Sequence, residues 1–330
     1  MSHSVSIRDA FDDWMASRAP RKDSEHTKRA YYNDVWQIAD IIIKQSETPS
    51  ATWETFPLER ISTRALRSAF ASFSENRASS TIARAQSTWR GLCKFCVQEE
   101  WLQVDPMVGI VQAKVPTQLP KPLRGEEQTA AILLSWLAEG GRREGRALWA
   151  ERDYAVIATL LLTGVRSAEL RALTCGDIFG KPGEQRIRVL GKGRKERAIP
   201  VEAPLMKVID EYLYSRQVRF PNWEQEDASF LFVDTNNEPL SPAQLRWIVF
   251  QCLRESGLGN TPQKGSLVHA MRATYATLIA AQGATAVEIM QLLGHESLDT
   301  SQGYIKAIAS EVRRSAAANP LYRQLPSSEG

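Results

Sequence analysis

The sequence predicts a mainly α-helical protein with one small antiparallel β-sheet, organised as two domains. Three observations carry that reading. Apolar side chains recur at helical spacing over 27–43 (TKRAYYNDVWQIADIII) and again over 79–98. The stretch AKVPTQLPKPLR, from Ala113 to Arg124, holds three prolines and no helical period, as an extended interdomain linker does. Two short β-type runs flank Gly191-Lys192-Gly193 in RIRVLGKGRKERAIPV, which reads as a hairpin with Lys192 in its turn.

The first domain is read from its helices. Over 79–98, Ile82, Trp89, Leu92, Cys93 and Cys96 fall near one face. Cys93-x-x-Cys96 has no second pair and no histidine at metal-ligand spacing, so both cysteines are assigned to the core. Between Arg60 and Lys94 stand seven basic residues (Arg60, Arg64, Arg67, Arg77, Arg84, Arg90, Lys94) against one acid, Glu75. Such a run is either a solvated helix face or a footprint for a phosphate backbone.

Beyond the linker, LLLTGVRSAELRAL shows an apolar helical run that stops at Thr163-Gly164 and restarts at Ser167. Arg166 is thereby presented in the joint between two helices. Glu169 either orients Arg166 or is an ordinary first-turn acid favoured by the helix dipole. In the hairpin, Arg186, Arg188, Arg194, Lys195 and Arg197 face only Glu196, which predicts a solvated basic ribbon. Its glycines do not form a Walker loop, for the spacing is wrong and no helix follows. Lys192 alone reads equally as a surface lysine.

The most specific stretch follows: LVHAMRATYATLIAAQGATAVEIMQLLGHESLDTSQGYIKA, which holds two of the chain's four histidines. A three-residue spacing puts His269 and Arg272 on one helix face, where both can converge on one anion. Arginine suits that task because its charge is permanent and its planar fork matches two phosphate oxygens. His295 and Tyr304 come next, nine residues apart. After Tyr304 the chain reads as a helix to about Ala318 and a Pro-terminated tail.

Composition agrees with this without adding to it. The 330 residues are enough for two domains at roughly 100 to 200 residues each. The formal net charge of +3, from 41 basic and 38 acidic residues, is mild, so positive charge must be concentrated locally. No run of about 18 apolar residues and no charged-then-apolar leader is present, which predicts a soluble, non-secreted protein. No carboxylate cluster of the two-metal kind is visible, so neither a metal nor another cofactor is assigned.

Taken together, Arg166, Lys192, His269-x-x-Arg272, His295 and Tyr304 resemble, in order and approximate spacing, the catalytic set of the tyrosine recombinases (phage integrases, Xer-like). TGVRSAEL looks like the family's first arginine box with its acidic residue, Glu169. VLGKGRKERAIPV looks like its lysine hairpin, and LLGHESLDTSQGYIK like its histidine and nucleophile box. The resemblance covers roughly 25–320. One departure stands out: many members carry a second histidine directly after the second arginine, and here that position is Ala273.

The resemblance implies a helical, DNA-clamping core-binding domain (1–113), a linker (114–124) and a mixed α+β catalytic domain with a C-terminal tail (125–330). It implies a metal-independent site-specific recombinase of the bacterial cytoplasm and nucleoid that acts on double-stranded DNA carrying a recombination site. A tetramer on synapsed DNA is expected, the segment after Tyr304 docking on a neighbouring subunit. Tyr304 would be the nucleophile, Arg166 and Arg272 the phosphate clamps, His295 a further donor, His269 the acid–base residue and Lys192 the leaving-group acid. Arg77, Arg84, Arg90, Arg194 and Lys195 would contact DNA. A type IB topoisomerase or telomere resolvase would use nearly the same residues, and a catalytically silent DNA-binding regulator would share the fold.

Overall fold

The computed structural model describes residues 4–21, 23–115, 121–141, 149–191, 195–259, 266–294, 298, 301–303 and 305. The chain divides into two compact units, Met1–Gln118 and Leu119–Gly330. Among the described residues no helix is long and apolar enough to cross a membrane.

Among its described residues the first unit has four α-helices: α1 (Ile7–Ser17), α2 (Glu25–Lys44), α3 (Thr63–Ser74) and α4 (Ser79–Gln98). Serines start three of them. The Ser6, Ser24 and Ser62 side chains each accept from a backbone N–H of the first turn, satisfying donors that the helix leaves unpaired. Apolar stripes from all four helices meet in one core around Trp89, Ile38, Leu66, Leu92 and Phe56. Cys93 and Cys96 lie in that core as free thiols, as their place on the apolar face of α4 requires. Burial raises both thiol pKa values, that of Cys96 to about 12.

One charged residue intrudes. Asp34, 1 % exposed, sits on the inward stripe of α2. Arg84 of α4 meets it with a two-pronged bond, Nε and Nη2 donating to the two carboxylate oxygens at 2.9 and 2.7 Å, and the Thr88 hydroxyl donates at 3.1 Å. The unit's last residues are tied back to α4, where Gln86 donates to the Val111 carbonyl and accepts from the Ala113 N–H.

In the second unit Leu123 is 2 % exposed in the core, and its N–H donates to the Thr274 hydroxyl at 2.9 Å, so the end of the proline-rich stretch is anchored on this unit. The helices are α5 (Glu126–Ala138), α6 (Ala150–Thr163), α7 (Ser167–Ala172), α8 (Ala203–Arg219), α9 (Pro242–Glu255), α10 (Leu267–Ala281) and α11 (Ala286–Leu293). Helix α6 is the pillar. It is buried almost all round from Ala155 to Leu161 and packs on α5, α8, α9 and α10.

A three-stranded antiparallel sheet, β1 (Ile178–Phe179), β2 (Arg186–Leu190) and β3 (Glu196–Pro200), covers one flank. The β2–β3 register runs from Arg186 opposite Pro200 to Leu190 opposite Glu196, so the connection carries residues 191–195. Ile187, Val189 and Ile199 are buried, and alternation sends their neighbours outward. Helix α11 packs on both α10 and β3.

Candidate active site

The site begins where α6 ends. Gly164 closes α6 in the left-handed region (φ 62°), its N–H donating to the Leu160 carbonyl at 3.2 Å. A Cβ there would collide with Tyr275 and Leu293, so both conformation and space call for glycine. The chain then turns through Val165 and caps α7 with Arg166, held extended at φ −73°, ψ 155°. The stop-and-restart pattern of the sequence thus produces the joint it predicts.

Glu169 organises this joint. Its Oε2 accepts from the Arg166 backbone N–H at 2.7 Å, and its Oε1 accepts from Arg166 Nη1 at 2.7 Å. The other acceptor position on each oxygen is taken by Arg197 of β3, whose Nη1 and Nη2 donate at 2.9 and 2.8 Å. Arg272 Nη1 lies 3.9 Å from Oε2. One carboxylate therefore serves three guanidinium groups. Burial raises its pKa, but the bonds from Arg197 and Arg166 more than offset that and hold it at about 2. Glu169 thus stands in the first turn of α7 and bonds both the backbone and the side chain of Arg166.

Arg272, on α10, is 2 % exposed. Its Nη1 donates to the Gly164 carbonyl at 2.6 Å and its Nη2 to the Leu293 carbonyl at 2.7 Å. Arg166 Nη2 donates to the Gly294 carbonyl at 2.8 Å. Gly294 ends α11 in the left-handed region (φ 64°), turning two successive carbonyls, those of Leu293 and Gly294, onto the two arginines. Segments more than a hundred residues apart in sequence thus meet at one cationic corner. Arg166 and Gly294 also line an open groove of about 1520 Å³, with Lys195, Arg197, Ile279 and Met290 on its walls.

His269 stands one helical turn before Arg272 but on the open side, exposed where Arg272 is buried. Its pKa is held below the ordinary 6.5, by desolvation first and then by the charges of Arg272 and Arg166. The imidazole is thus near enough to both arginines to feel their charges while staying open to solvent. Lys192, Arg194, His295 and Tyr304 lie outside the described residues.

One expectation needs correction, and one gains a structural partner. The hairpin is not uniformly a solvated ribbon: the Arg197 side chain is 11 % exposed and bound to Glu169, and Arg188 donates to Asp177 at 3.1 Å. Among the described residues, Arg186 and Lys195 fit the ribbon description. Arg84, expected among the phosphate contacts, commits its fork to Asp34, because a buried carboxylate needs a counter-ion. Arg77 is exposed, its guanidinium 4.5 Å from the Phe73 ring centroid, and half-buried Arg90 reaches the Ile110 carbonyl at 3.4 Å. Among the described residues no group of three His, Cys, Asp or Glu side chains gathers to hold a metal.

Comparison with known proteins converges on one family. The phage integrase family description matches residues 146–311, half of the chain. The tyrosine recombinase XerC of Neisseria meningitidis serogroup C is 28 % identical over 305 residues, covering 92 % of each chain. That of Mycobacterium tuberculosis is 29 % identical over 308 residues, covering 93 % of this chain and 96 % of the relative. Among solved structures, the XerH site-specific recombinase bound to palindromic difH substrate superposes with a TM-score of 0.72 at 19 % identity, covering 95 % of this chain and 84 % of that one. A lambda integrase dimer bound to a COC′ core site gives 0.64 at 16 %, with 92 % and 77 % covered. At these identities the structural likeness speaks for the fold. A family match that spans the arginine joint, the hairpin and the α10–α11 corner leaves one conclusion: this chain belongs to the phage integrase family of tyrosine recombinases.

Proposed function

We propose that this chain is a site-specific recombinase that cleaves and rejoins double-stranded DNA through a 3′-phosphotyrosine formed by Tyr304. The observation that supports it most is the corner itself, where Arg166 and Arg272 share Glu169 and are fixed on the carbonyls of Gly164, Leu293 and Gly294. A phosphodiester repels an attacking phenolate, and a free tyrosine with a pKa of about 10 is ionised only on the order of one part in a thousand at neutral pH. Fixed guanidinium groups supply the missing charge, and their orientation is established on folding rather than during the reaction.

The roles follow from the chemistry. Arg166 and Arg272 neutralise the non-bridging oxygens as the pentavalent state forms, and His295 adds a hydrogen bond. His269, neutral above its lowered pKa, accepts the proton of the attacking phenol. Lys192 protonates the departing 5′ oxygen. The bond energy stays in the phosphotyrosine, so a 5′ hydroxyl from a partner strand reseals the break without ATP.

Residues 1–113 would clamp DNA, 114–124 would link, and 125–330 would catalyse. Arg77, Arg84, Arg90, Arg194 and Lys195 are the phosphate contacts of this reading, Arg84 serving as the counter-ion of Asp34 as well. Assembly as a tetramer on two sites belongs to it as well, in keeping with the lambda integrase neighbour, which is a dimer on its core site. The test is a nicked suicide duplex carrying a candidate recombination site, an inverted repeat around a short spacer. The wild-type chain should be trapped on it covalently and Tyr304→Phe should bind without trapping; an adduct formed by Tyr304→Phe refutes the assignment.

A further inference from the structure

We infer that Arg197 is a positioning residue of this site, acting through Glu169 on Arg166. The inference rests on the recombinase reading and adds a residue to it. Strand alternation puts Arg197 on the inward face of β3 beside Ile199, whereas Glu196, Ala198 and Pro200 point outward. A cation turned toward the protein interior needs partners there. It finds two and makes three bonds to them: Nη1 and Nη2 close a two-pronged bond with Glu169, and Nε donates to the Leu292 carbonyl at 2.9 Å.

Those bonds join three parts of the site that are far apart in sequence. Glu169 belongs to the Arg166 joint, Leu292 to the end of α11 just before Gly294, and Arg197 itself to the strand leaving the hairpin. Gly294 shows how tightly the clamp is built, since a Cβ on it would lie 3.0 Å from Arg197 Nη1. Gly294 is in turn the carbonyl that holds Arg166. Arg197 thus fixes both anchors of Arg166, its carboxylate partner and its carbonyl partner.

The charge arrangement says what the clamp achieves. With Arg197 present, Glu169 divides its four acceptor positions between two arginines, and Arg166 contributes only Nη1 and its backbone N–H. Without Arg197, Arg166 is left, among the described residues, as the one guanidinium within hydrogen-bond distance of a buried carboxylate, Arg272 standing at 3.9 Å. A guanidinium drawn fully onto that carboxylate is withdrawn from a phosphate. Lysine would keep the charge but could not span both oxygens and the Leu292 carbonyl.

The experiment is a double-mutant cycle on single-turnover adduct formation, with the same suicide duplex. Arg197→Met keeps the aliphatic stem beside Gly294 and removes the fork. It should slow adduct formation by about 10- to 100-fold, as loss of an orienting partner does, at unchanged DNA affinity. Arg166→Ala should cost at least ~10²-fold, and adding Arg197→Met to it should cost little more, because the positioned group is gone. Arg197→Lys should fall between wild type and Arg197→Met; it replaces Met in the cycle if the Met variant melts below the assay temperature. Independent, multiplying effects of the two substitutions, or wild-type rates in Arg197→Lys, overturn the inference. Absence of a wild-type adduct would instead strike the recombinase reading, so the two failures are distinct.

Discussion

Replacing Glu169 by Gln exchanges the single carboxylate beneath three guanidinium groups for an amide of the same shape. All four acceptor positions of that carboxylate are filled, two by Arg166 and two by Arg197. The amide keeps one oxygen and turns N–H groups toward N–H donors, leaving the poorly exposed Arg197 without its counter-ion. The magnitude follows from ionisation. The pKa falls from 4.5 to about 2 in the folded chain. At 1.36 kcal/mol per pKa unit this corresponds to about 3 kcal/mol of stabilisation. Solvent screens little of it, because Glu169 is only 5 % and Arg197 11 % exposed, although Arg166 at 39 % contributes less than its geometry suggests.

For a unit of this size that amount lowers the melting temperature by roughly 6 to 12 °C. The sign with pH is fixed by the direction of the shift. A carboxyl whose folded pKa lies below its unfolded value contributes fully above 4.5 and loses its contribution as the pH falls toward 2. Calorimetry of wild type and Glu169→Gln at neutral pH and in mild acid should show a wide gap that narrows on acidification. A neutral-pH difference of about 1 °C or less, or a gap that stays constant with pH, would refute the reasoning.

Arg84→Ala should destabilise the first unit by about 1 to 3 kcal/mol, the half-exposed arginine tempering the loss of a buried carboxylate's partner. Arg77→Ala, Arg84→Ala and Arg90→Ala should each flatten the salt dependence of DNA binding by about one unit of log–log slope, and an unchanged slope in any of them would remove that residue from the phosphate contacts. In DNA-free protein the His269 ring protons should titrate with a midpoint below 6.5, and duplex DNA should move it upward, because a phosphate favours the imidazolium. A DNA-free midpoint above 6.5 would contradict the desolvated corner shared with Arg272 and Arg166.

Much of this site is legible in the amino-acid sequence. Gly164 and Ser167 announce the joint that presents Arg166, and β-type runs around a glycine turn announce the sheet. The His269-x-x-Arg272 spacing announces a shared helix face. Pairing across the fold is what escapes. Composition around the hairpin makes Arg197 look like one more solvated cation, yet the period of two that assigns Ile199 to the core assigns Arg197 to the same face. Asp34 offers a similar signal, an acid on the inward stripe of α2 four residues before Ile38, but its partner Arg84 lies fifty residues away. Neither partner is knowable from local pattern, because each is chosen by tertiary packing.

The central claim is that a cationic corner built on Glu169 serves a tyrosine that becomes covalently bonded to DNA. The direct measurement is proteolysis of the trapped complex followed by mass spectrometry of the nucleotide-bearing peptide, with EDTA present throughout. The account predicts one modified peptide, carrying a 3′-phosphonucleotide on Tyr304, and a released strand that begins with a 5′ hydroxyl. A nucleotide on any other residue, a 5′-phosphoryl linkage, or no adduct once divalent metal is removed would contradict it.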